Sequence, residues 1–448
     1  MKIEGLARIT NGTLVAFKKK VKVTGYSTDT RTIQKGNVFI ALKGLSFNGH
    51  DYVEEAFQKG CSVAIVSEKI PKKKDWNLIQ VENTYDALAS LGAAYRDRYK
   101  IPLIAVTGSV GKTTLKELIA CVLEPDYRIL KNEGNQNNHI GLPMTLLKLN
   151  GEYDVIVTEL GMNHVGEICK LSHIAKPDVA LITNIGTSHI GNLGSKRNIF
   201  KAKMEITGGM DNGLLIVNGD DYFLKKLRNT DHISCVKCGR RHKNEMRIGD
   251  IEIDRKGTSF LLHYYKKKYL VKFPYPGEHY PHLISMAIMV GLNFDIPIEE
   301  CIHRIATITS IDHRLQVKEL NHRITLIDDS YNASIESYRS ALHLLKEDKR
   351  PKLIIAGDIL ELGRHSKRIH TELIKQINHI KNSEVWMTGH EFEHLKHKVL
   401  MGTYFQTKEE MIQKIWENEW HDCIILVKGS HALGLSEVAR TIEEKYHR

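Results

Sequence analysis

The chain has no apolar run close to the ~20 residues that span a bilayer, so no membrane insertion is expected. Its opening, Met1-Lys2-Ile3-Glu4-Gly5, has no signal-peptide apolar core. Cysteine is sparse and scattered, seven in 448 residues, which argues against a disulfide framework and for a reducing cytoplasm. There is no repeat of solenoid period and no low-complexity tract. A basic stripe and an aromatic stacking platform are missing as well, which counts against a nucleic-acid-acting ATPase despite a formal charge of +11. The clusters Lys18–Lys20, Lys72–Lys74 and Lys266–Lys268 supply part of that charge. They read as solvated loops or hairpin turns, the alternative being attraction of a polyanionic substrate.

What is present is a phosphate-binding signal. The apolar run Ile104-Ala105-Val106 leads into Thr107-Gly108-Ser109-Val110-Gly111-Lys112-Thr113-Thr114. Beyond it Leu115, Leu118, Ile119 and Val122 fall on one helical face. Glycines let backbone N–H groups approach phosphate oxygens, and a helix N-terminus adds partial positive charge. Lys112 can reach terminal phosphates, and a threonine hydroxyl can hold Mg²⁺. The stretch departs from G-x-x-x-x-G-K-[ST] because the first Gly would fall at Val106.

A chain of this length exceeds one hydrophobic core, so two to four domains are expected, and the elements along it divide into three domains of an α/β protein. Residues 1–100 hold short strands at 37–42 and 62–66 and a helix over 87–99, a small α/β domain. In 101–310 strands at 154–159, 179–184 and 214–218 alternate with helical stretches, as in a P-loop ATPase-like parallel sheet. Ligands sit at the carboxyl ends of such strands, where Gly108, Glu159 and Asn184 fall. Residues 232–275 read as an antiparallel insert. Residues 311–448, with strands at 324–328, 353–356 and 423–427, read as a second, Rossmann-like doubly wound domain. Glu159 and His189 near a phosphate loop are candidate ligands for a divalent ion, the carboxylate better suited to Mg²⁺ than the imidazole. His232, Cys235, Cys238 and His242 have zinc-ligand types, but the separations are too short for a structural zinc site, and they read as strand and turn residues.

Several runs together resemble the Mur ligases. They are Thr107 to Thr114, Asn135 to Pro143, Glu159 to Ile168 and Thr183 to His189. Further matches are Ser27 to Arg31, Phe39 to Gly44 with Gly49-His50-Asp51, Asp328 to Ala333, Gly357 to Gly363 and Val427 to Ser430. Motif order is kept over nearly the whole length, and Asp328 to Ala333 is similar to the dipeptide-adding member.

The resemblance implies an ATP-dependent amide ligase of cell-wall precursor synthesis acting through an acyl phosphate. Its substrates would be a UDP-linked muramyl peptide and an amino acid or dipeptide, D-Ala-D-Ala favoured, with ATP and Mg²⁺ as cofactors and the chain a cytoplasmic monomer. By the same resemblance Gly108, Ser109, Val110, Gly111, Lys112, Thr113, Thr114, Asn138, Asn184, Arg314, Asp329 and Asn332 bind ATP. Thr113 or Thr114 and Glu159 hold one metal ion, and His189 helps hold a second. Lys203 falls where relatives carry a CO₂-derived carbamate, with Lys201 as the rival position. Lys112, Lys203, His189 and Arg314 form the catalytic set. Ser27, Thr28, Asp29, Arg31, Lys43, Gly44, His50 and Asp51 would hold the nucleotide-linked substrate, and Asp358, Glu361, Lys428 and Ser430 the amine. An interdomain hinge is expected at 310–313. Three positions depart from the family pattern: Leu283 replaces an asparagine expected near adenine, His431 an arginine and Ser436 a glutamate. The last two leave the identity of the added amino acid or dipeptide open at this point.

Overall fold

In a computed structural model, every residue is described except 1, 17–20, 72, 74, 255–256, 309–315, 347 and 448. The apolar runs form strands buried on both faces, as helix-covered sheets require. Leu103–Thr107, Val155–Glu159, Val179–Ile182 and Lys352–Gly357 are buried throughout. Three sheets result, and the architecture is mixed α/β. The first has the order Thr13–Ala16, Leu78–Gln80, Val63–Val66, Asn37–Ile40, Gly25–Ser27, parallel except at its first pair.

The nine-stranded sheet runs Lys267–Phe273, Gly257–Tyr264, Met246–Asp254, Ile233–Gly239, Gly213–Asn218, Val179–Ile182, Leu103–Thr107, Val155–Glu159, Ile129–Lys131. The expected antiparallel insert over 232–275 is antiparallel only in part and is continuous with this sheet. Its last three strands are antiparallel, but Ile233–Gly239 pairs in parallel with Met246–Asp254, and all four extend the sheet. An uncovered sheet edge leaves backbone groups seeking partners, and these strands supply them. The third sheet runs Gln316–Leu320, Ile324–Asp329, Ile424–Lys428, Lys352–Gly357, Ser383–Thr388, Gly402–Tyr404, antiparallel only at its first pair.

Contact density divides the chain into two compact units. Met1–Ala105, Asp126–Ala180 and Met204–Gly213 form one. There the expected 87–99 helix begins earlier, at Thr84, because Asn83 caps it by accepting from the Tyr85 and Asp86 N–H groups. Gly92 on this helix lies where a Cβ would meet Pro143 Cα at 2.9 Å, so Thr84–Arg98 packs closely on Gly141–Leu146. Arg96 is buried and donates to the Ala175 and Lys176 carbonyls, satisfying the end of the helix Glu167–Ala175.

Val106–Pro125, Leu181–Lys203 and Leu214–Arg448 form the other unit. Its helix Lys112–Leu123 buries Leu115, Leu118, Ile119 and Val122, the expected face, and Gly291 on Tyr280–Asn293 meets Val122. Among the described residues no helix is long and apolar enough to cross a membrane. Cys235 and Cys238 are both buried and stand three apart on the strand Ile233–Gly239, a spacing that in a regular strand points to opposite faces.

Candidate nucleotide site

The phosphate loop is held by the segment 183–188. Gly108 has φ 152°, and a Cβ there would lie 1.8 Å from Thr183 Oγ1, so only glycine fits. Asn184 clamps the loop with both ends of its amide: Val110 N–H donates to Oδ1 at 3.1 Å, and Nδ2 donates to Val110 O at 3.0 Å. Thr183 Oγ1 donates to the same carbonyl, Ser188 Oγ donates to Ser109 O, and Ser109 Oγ accepts from Gly186 N–H. Gly111, with φ 86°, is the N-cap of Lys112–Leu123, and Lys112 Nζ reaches back to Gly108 O at 3.0 Å. Val106, where the textual motif would have glycine, is a buried strand residue, so the turn begins after the strand ends.

A cavity opens on this loop. Ser109 to Thr114, Asn184, Ser188 and His279 line one part of it. Asp329, Asn332, Ala333, Ser334, Glu336, Ser337, Ser340 and Lys428 line the rest. His279, Ser188 and the Ser334–Ser340 wall were not singled out from the sequence. The readable signal was Ser334 just ahead of a helix, where its Oγ accepts from Ser337 N–H. Arg314, expected to reach the phosphates, and the expected hinge at 310–313 lie outside the described residues. Asn138 lines a different cavity, and its Oδ1 accepts from Ile140 and Gly141 N–H at the start of the helix Gly141–Leu146.

The departure at Leu283 has a local account. Leu283 is buried, and its side chain is what a Cβ on Gly111 would touch, at 3.1 Å. One residue earlier His282 Nε2 lies 2.8 Å from Asp220 Oδ2, tying the start of Tyr280–Asn293 to the turn after Gly213–Asn218.

His189 has φ 62° and Glu361 φ 63°, left-handed conformations that cost a non-glycine residue energy and concentrate at functional positions. Glu361 Oε2 lies 2.5 Å from His189 Nδ1, off the line of a hydrogen bond, and the buried Nδ1 has no hydrogen-bond partner among the described residues. Lys203 is fully buried; burial, then the nearby Lys112 ammonium, holds its amine well below the usual lysine range. An orphaned imidazole nitrogen is a donor type that a divalent ion can use, and so is the lysine once its amine carries a carboxylate, while among the described residues no group of three His, Cys, Asp or Glu side chains forms a metal cluster. Lys201 is exposed.

The remaining candidates of this unit are committed to the fold. Asp358 is buried, and its carboxylate caps the helix His390–Leu395 by accepting from Glu391 and Phe392 N–H, while burial raises its pKa. Ser430 Oγ accepts from Leu360 N–H, and Lys428 is ion-paired with Asp329.

In the other unit Glu159 is buried at a strand end, with Asn137 Nδ2 donating to Oε1 at 2.9 Å. Ser27 and Thr28 line a cavity of about 830 Å³ together with Tyr26, Tyr95, Tyr99 and Asn138. That volume suits a sizeable ligand. Asp29 is lowered by its hydrogen bonds from the exposed Arg31 and pairs with it at 2.6 Å. Lys43 pairs with Glu68 beside Gly44. His50 is a buried staple: Nδ1 lies 2.7 Å from Asn48 Oδ1 and Nε2 accepts from Ser67 N–H, so its imidazole is engaged at both nitrogens. Asp51 is exposed.

Family models match most of the chain: the Mur ligase family catalytic domain over 22–96, the Mur ligase middle domain over 106–291, and the Mur ligase glutamate ligase domain over 313–431. This chain belongs to the Mur ligase family. It is 32% identical to the UDP-N-acetylmuramoyl-tripeptide–D-alanyl-D-alanine ligase of Bacillus subtilis, covering 99% of this chain and 98% of the relative. Identity to the Escherichia coli ligase of the same name is 31%, over 98% of this chain and 97% of the relative. Among solved Mur ligases, MurF from Acinetobacter baumannii matches at a TM-score of 0.89 and 30% identity, with 98% of each chain covered. MurF from Thermotoga maritima in complex with ADP matches at 0.84 and 25% identity, over 94% of this chain and 98% of that one.

Proposed function

We propose that this Mur ligase joins D-Ala-D-Ala to UDP-N-acetylmuramoyl-tripeptide, with ATP cleaved to ADP and phosphate, in peptidoglycan precursor synthesis in the cytoplasm. The observation that carries the ATP assignment is the single cavity that brings the glycine loop, the Asp329–Asn332 turn and Asn184 together. A carboxylate oxygen of the tripeptide attacks the γ-phosphorus, the bond to the β-bridging oxygen breaks, and ADP leaves. The dipeptide amine then attacks the acyl carbon, and phosphate leaves as the nitrogen gives up a proton. Little covalent chemistry falls to the protein, which positions groups and neutralises charge.

The start of the helix Lys112–Leu123 faces the phosphates, Ser109 and Val110 N–H being held by Asn184, and Lys112 releases Gly108 O to pair with the transferred group. Asn184 keeps the loop in shape for this. The Thr113 or Thr114 hydroxyl, Glu159, His189 and a carbamylated Lys203 are the residues that would hold Mg²⁺, which supplies charge neutralisation between carboxylate and phosphate. The 830 Å³ cavity beside Ser27 and Thr28 is assigned to the nucleotide-linked substrate. We assign 1–100, 101–310 and 311–448 as the substrate, ATP and amine-binding domains of a monomer. The test is phosphate release from ATP with UDP-N-acetylmuramoyl-tripeptide, comparing D-Ala-D-Ala with a panel of amino acids and dipeptides. Preference for another amine would reassign the substrate. ATP turnover driven by DNA or RNA, with none from the peptide pair, would sink the ligase reading.

A further inference from the structure

Lys428 ends the strand Ile424–Lys428 and is fully buried. The strand pairs in parallel with Ile324–Asp329, and the register sets Lys428 opposite Asp329. The family pattern suggested a role toward the amine substrate, but the ammonium is engaged by the protein itself. Nζ donates to Asp329 Oδ2 at 2.5 Å, to Asn332 O at 3.1 Å and to Asp329 O at 3.5 Å. All three acceptors belong to one turn, and Asp329 and Asn332 from that turn line the nucleotide cavity.

The backbone of Lys428 is fixed as well. Tyr338, also fully buried, places its hydroxyl 2.7 Å from both Lys428 O and Gly357 O, and its ring centre lies 5.4 Å from Nζ. Tyr338 stands on the helix Ile335–Lys346, whose Ser337 and Ser340 line the same cavity. Lys428 thus ties together the turn, the helix after it and the neighbouring strand.

We propose that Lys428 is a positioning residue for the nucleotide: it braces the Asp329–Asn332 turn in the shape that faces the phosphate loop, and it does not bind the amine. A charge taken fully out of water persists only when paired and hydrogen-bonded, and here the turn itself provides that compensation. An ammonium is a compact charge with three donors, which suits three oxygens of one turn. Recruiting Lys428 to an incoming substrate would strip Asp329 of its counter-charge inside the protein. Without Lys428, the buried Asp329 carboxylate draws away from the strand and the turn loses its fixed shape.

The inference rests on the ATP assignment of this cavity and is tested apart from the choice of amine. ADP affinity of the full-length chain is measured by calorimetry, with no amine present, for the wild type, Lys428→Met, Asp329→Asn and the double variant. Steady-state KM values for ATP and for D-Ala-D-Ala are measured beside it. Lys428→Met is expected to weaken ADP binding and raise the ATP KM about tenfold, the dipeptide KM staying within about twofold. Asp329→Asn leaves Nζ its Asn332 O and Asp329 O acceptors and should lose less ADP affinity than Lys428→Met, while the double variant should match Lys428→Met. If Lys428→Met does not fold, the double variant against Asp329→Asn decides, since the double variant leaves no buried carboxylate at 329, and it should bind ADP more weakly than Asp329→Asn. A dipeptide KM that rises as much as the ATP KM, unchanged ADP affinity in Lys428→Met, or a double variant that binds ADP as well as Asp329→Asn overturns the proposal. A wild-type chain that binds ADP but does not use D-Ala-D-Ala defeats only the substrate reading.

Discussion

Gly191 and Gly363 face each other with no side chain between them. A Cβ on Gly363 would lie 2.9 Å from Gly191 Cα, and one on Gly191 would lie 2.6 Å from Gly363 N and from Glu361 O. Gly191 N–H donates to Glu361 O at 3.0 Å, and the Glu361 carboxylate touches His189. The segment carrying His189 is therefore joined to the Leu360–Gly363 turn by backbone at contact distance, where an added methyl has no room. Gly191→Ala should force this seam apart, at an overpacking cost of about 1–3 kcal/mol. We expect lower turnover, and a larger radius of gyration than the wild type when an ATP analogue and the UDP-peptide are bound. Small-angle scattering and phosphate release check this, and wild-type values for both would refute the seam's role.

Lys112→Ala should abolish most ligation without unfolding the chain. Lys112 is half-buried at a helix start and contacts Gly108 O, so its loss removes a charge facing the phosphates rather than core packing. Losing one such electrostatic group is expected to lower turnover by about 10²–10³. Thermal unfolding should stay close to the wild type. A folded variant with near wild-type phosphate release would refute the assignment.

The phosphate loop was legible because everything that defines it is local: an apolar strand, two glycines, a lysine and a helical face within about twenty consecutive residues. What holds the loop was not, because Asn184 reaches Val110 from 74 residues away. Lys428 shows the same limit. Its motif was readable, but whether its ammonium turns to substrate or to Asp329, 99 residues away, depends on the strand register. Asp358, Ser430 and His50 have residue types that bind ligands, and only packing reveals that their polar atoms already serve backbone groups. The strands at 232–275 were readable as strands, while their addition to the central sheet depended on an edge that no local pattern records.

Asp220 should make stability depend on pH in the acid range. Burial pushes its carboxyl up, but His282 and the Arg240 and Arg241 N–H groups outweigh that and lower it to about 2. A carboxyl depressed in the fold contributes stability above its ordinary value of 3.8, and that stability is lost as pH falls through about 2. Asp220→Asn should therefore melt below the wild type at neutral pH, with the gap closing between about pH 4 and pH 2. Melting curves of both proteins across that window check this. A gap that holds constant through it would mean that the His282–Asp220 contact contributes nothing through charge.

Lys203 should trade stability for activity. Its amine is held well below the ordinary 10.5 by burial and by Lys112, so between its folded value and 10.5 the unfolded chain binds the extra proton. Stability then rises with pH across that interval, and at neutral pH the fold bears the cost of a buried amine kept from its charged state. In carbonate-free and Mg²⁺-free buffer, Lys203→Met should therefore melt above the wild type at pH 7. That advantage should shrink as pH approaches 10.5. The same variant should not ligate, because methionine cannot react with CO₂ to give an anionic ligand. Lys203→Ala, which leaves space, should be equally inactive and recover part of its activity with a short carboxylic acid that occupies the carbamate's place. Lys201, exposed two residues away, should tolerate alanine with near wild-type turnover. A Lys203 variant that is active without added acid, or one that melts below the wild type at pH 7 and gains no activity from the acid, would show that Lys203 is a packing residue and that the anionic ligand lies elsewhere.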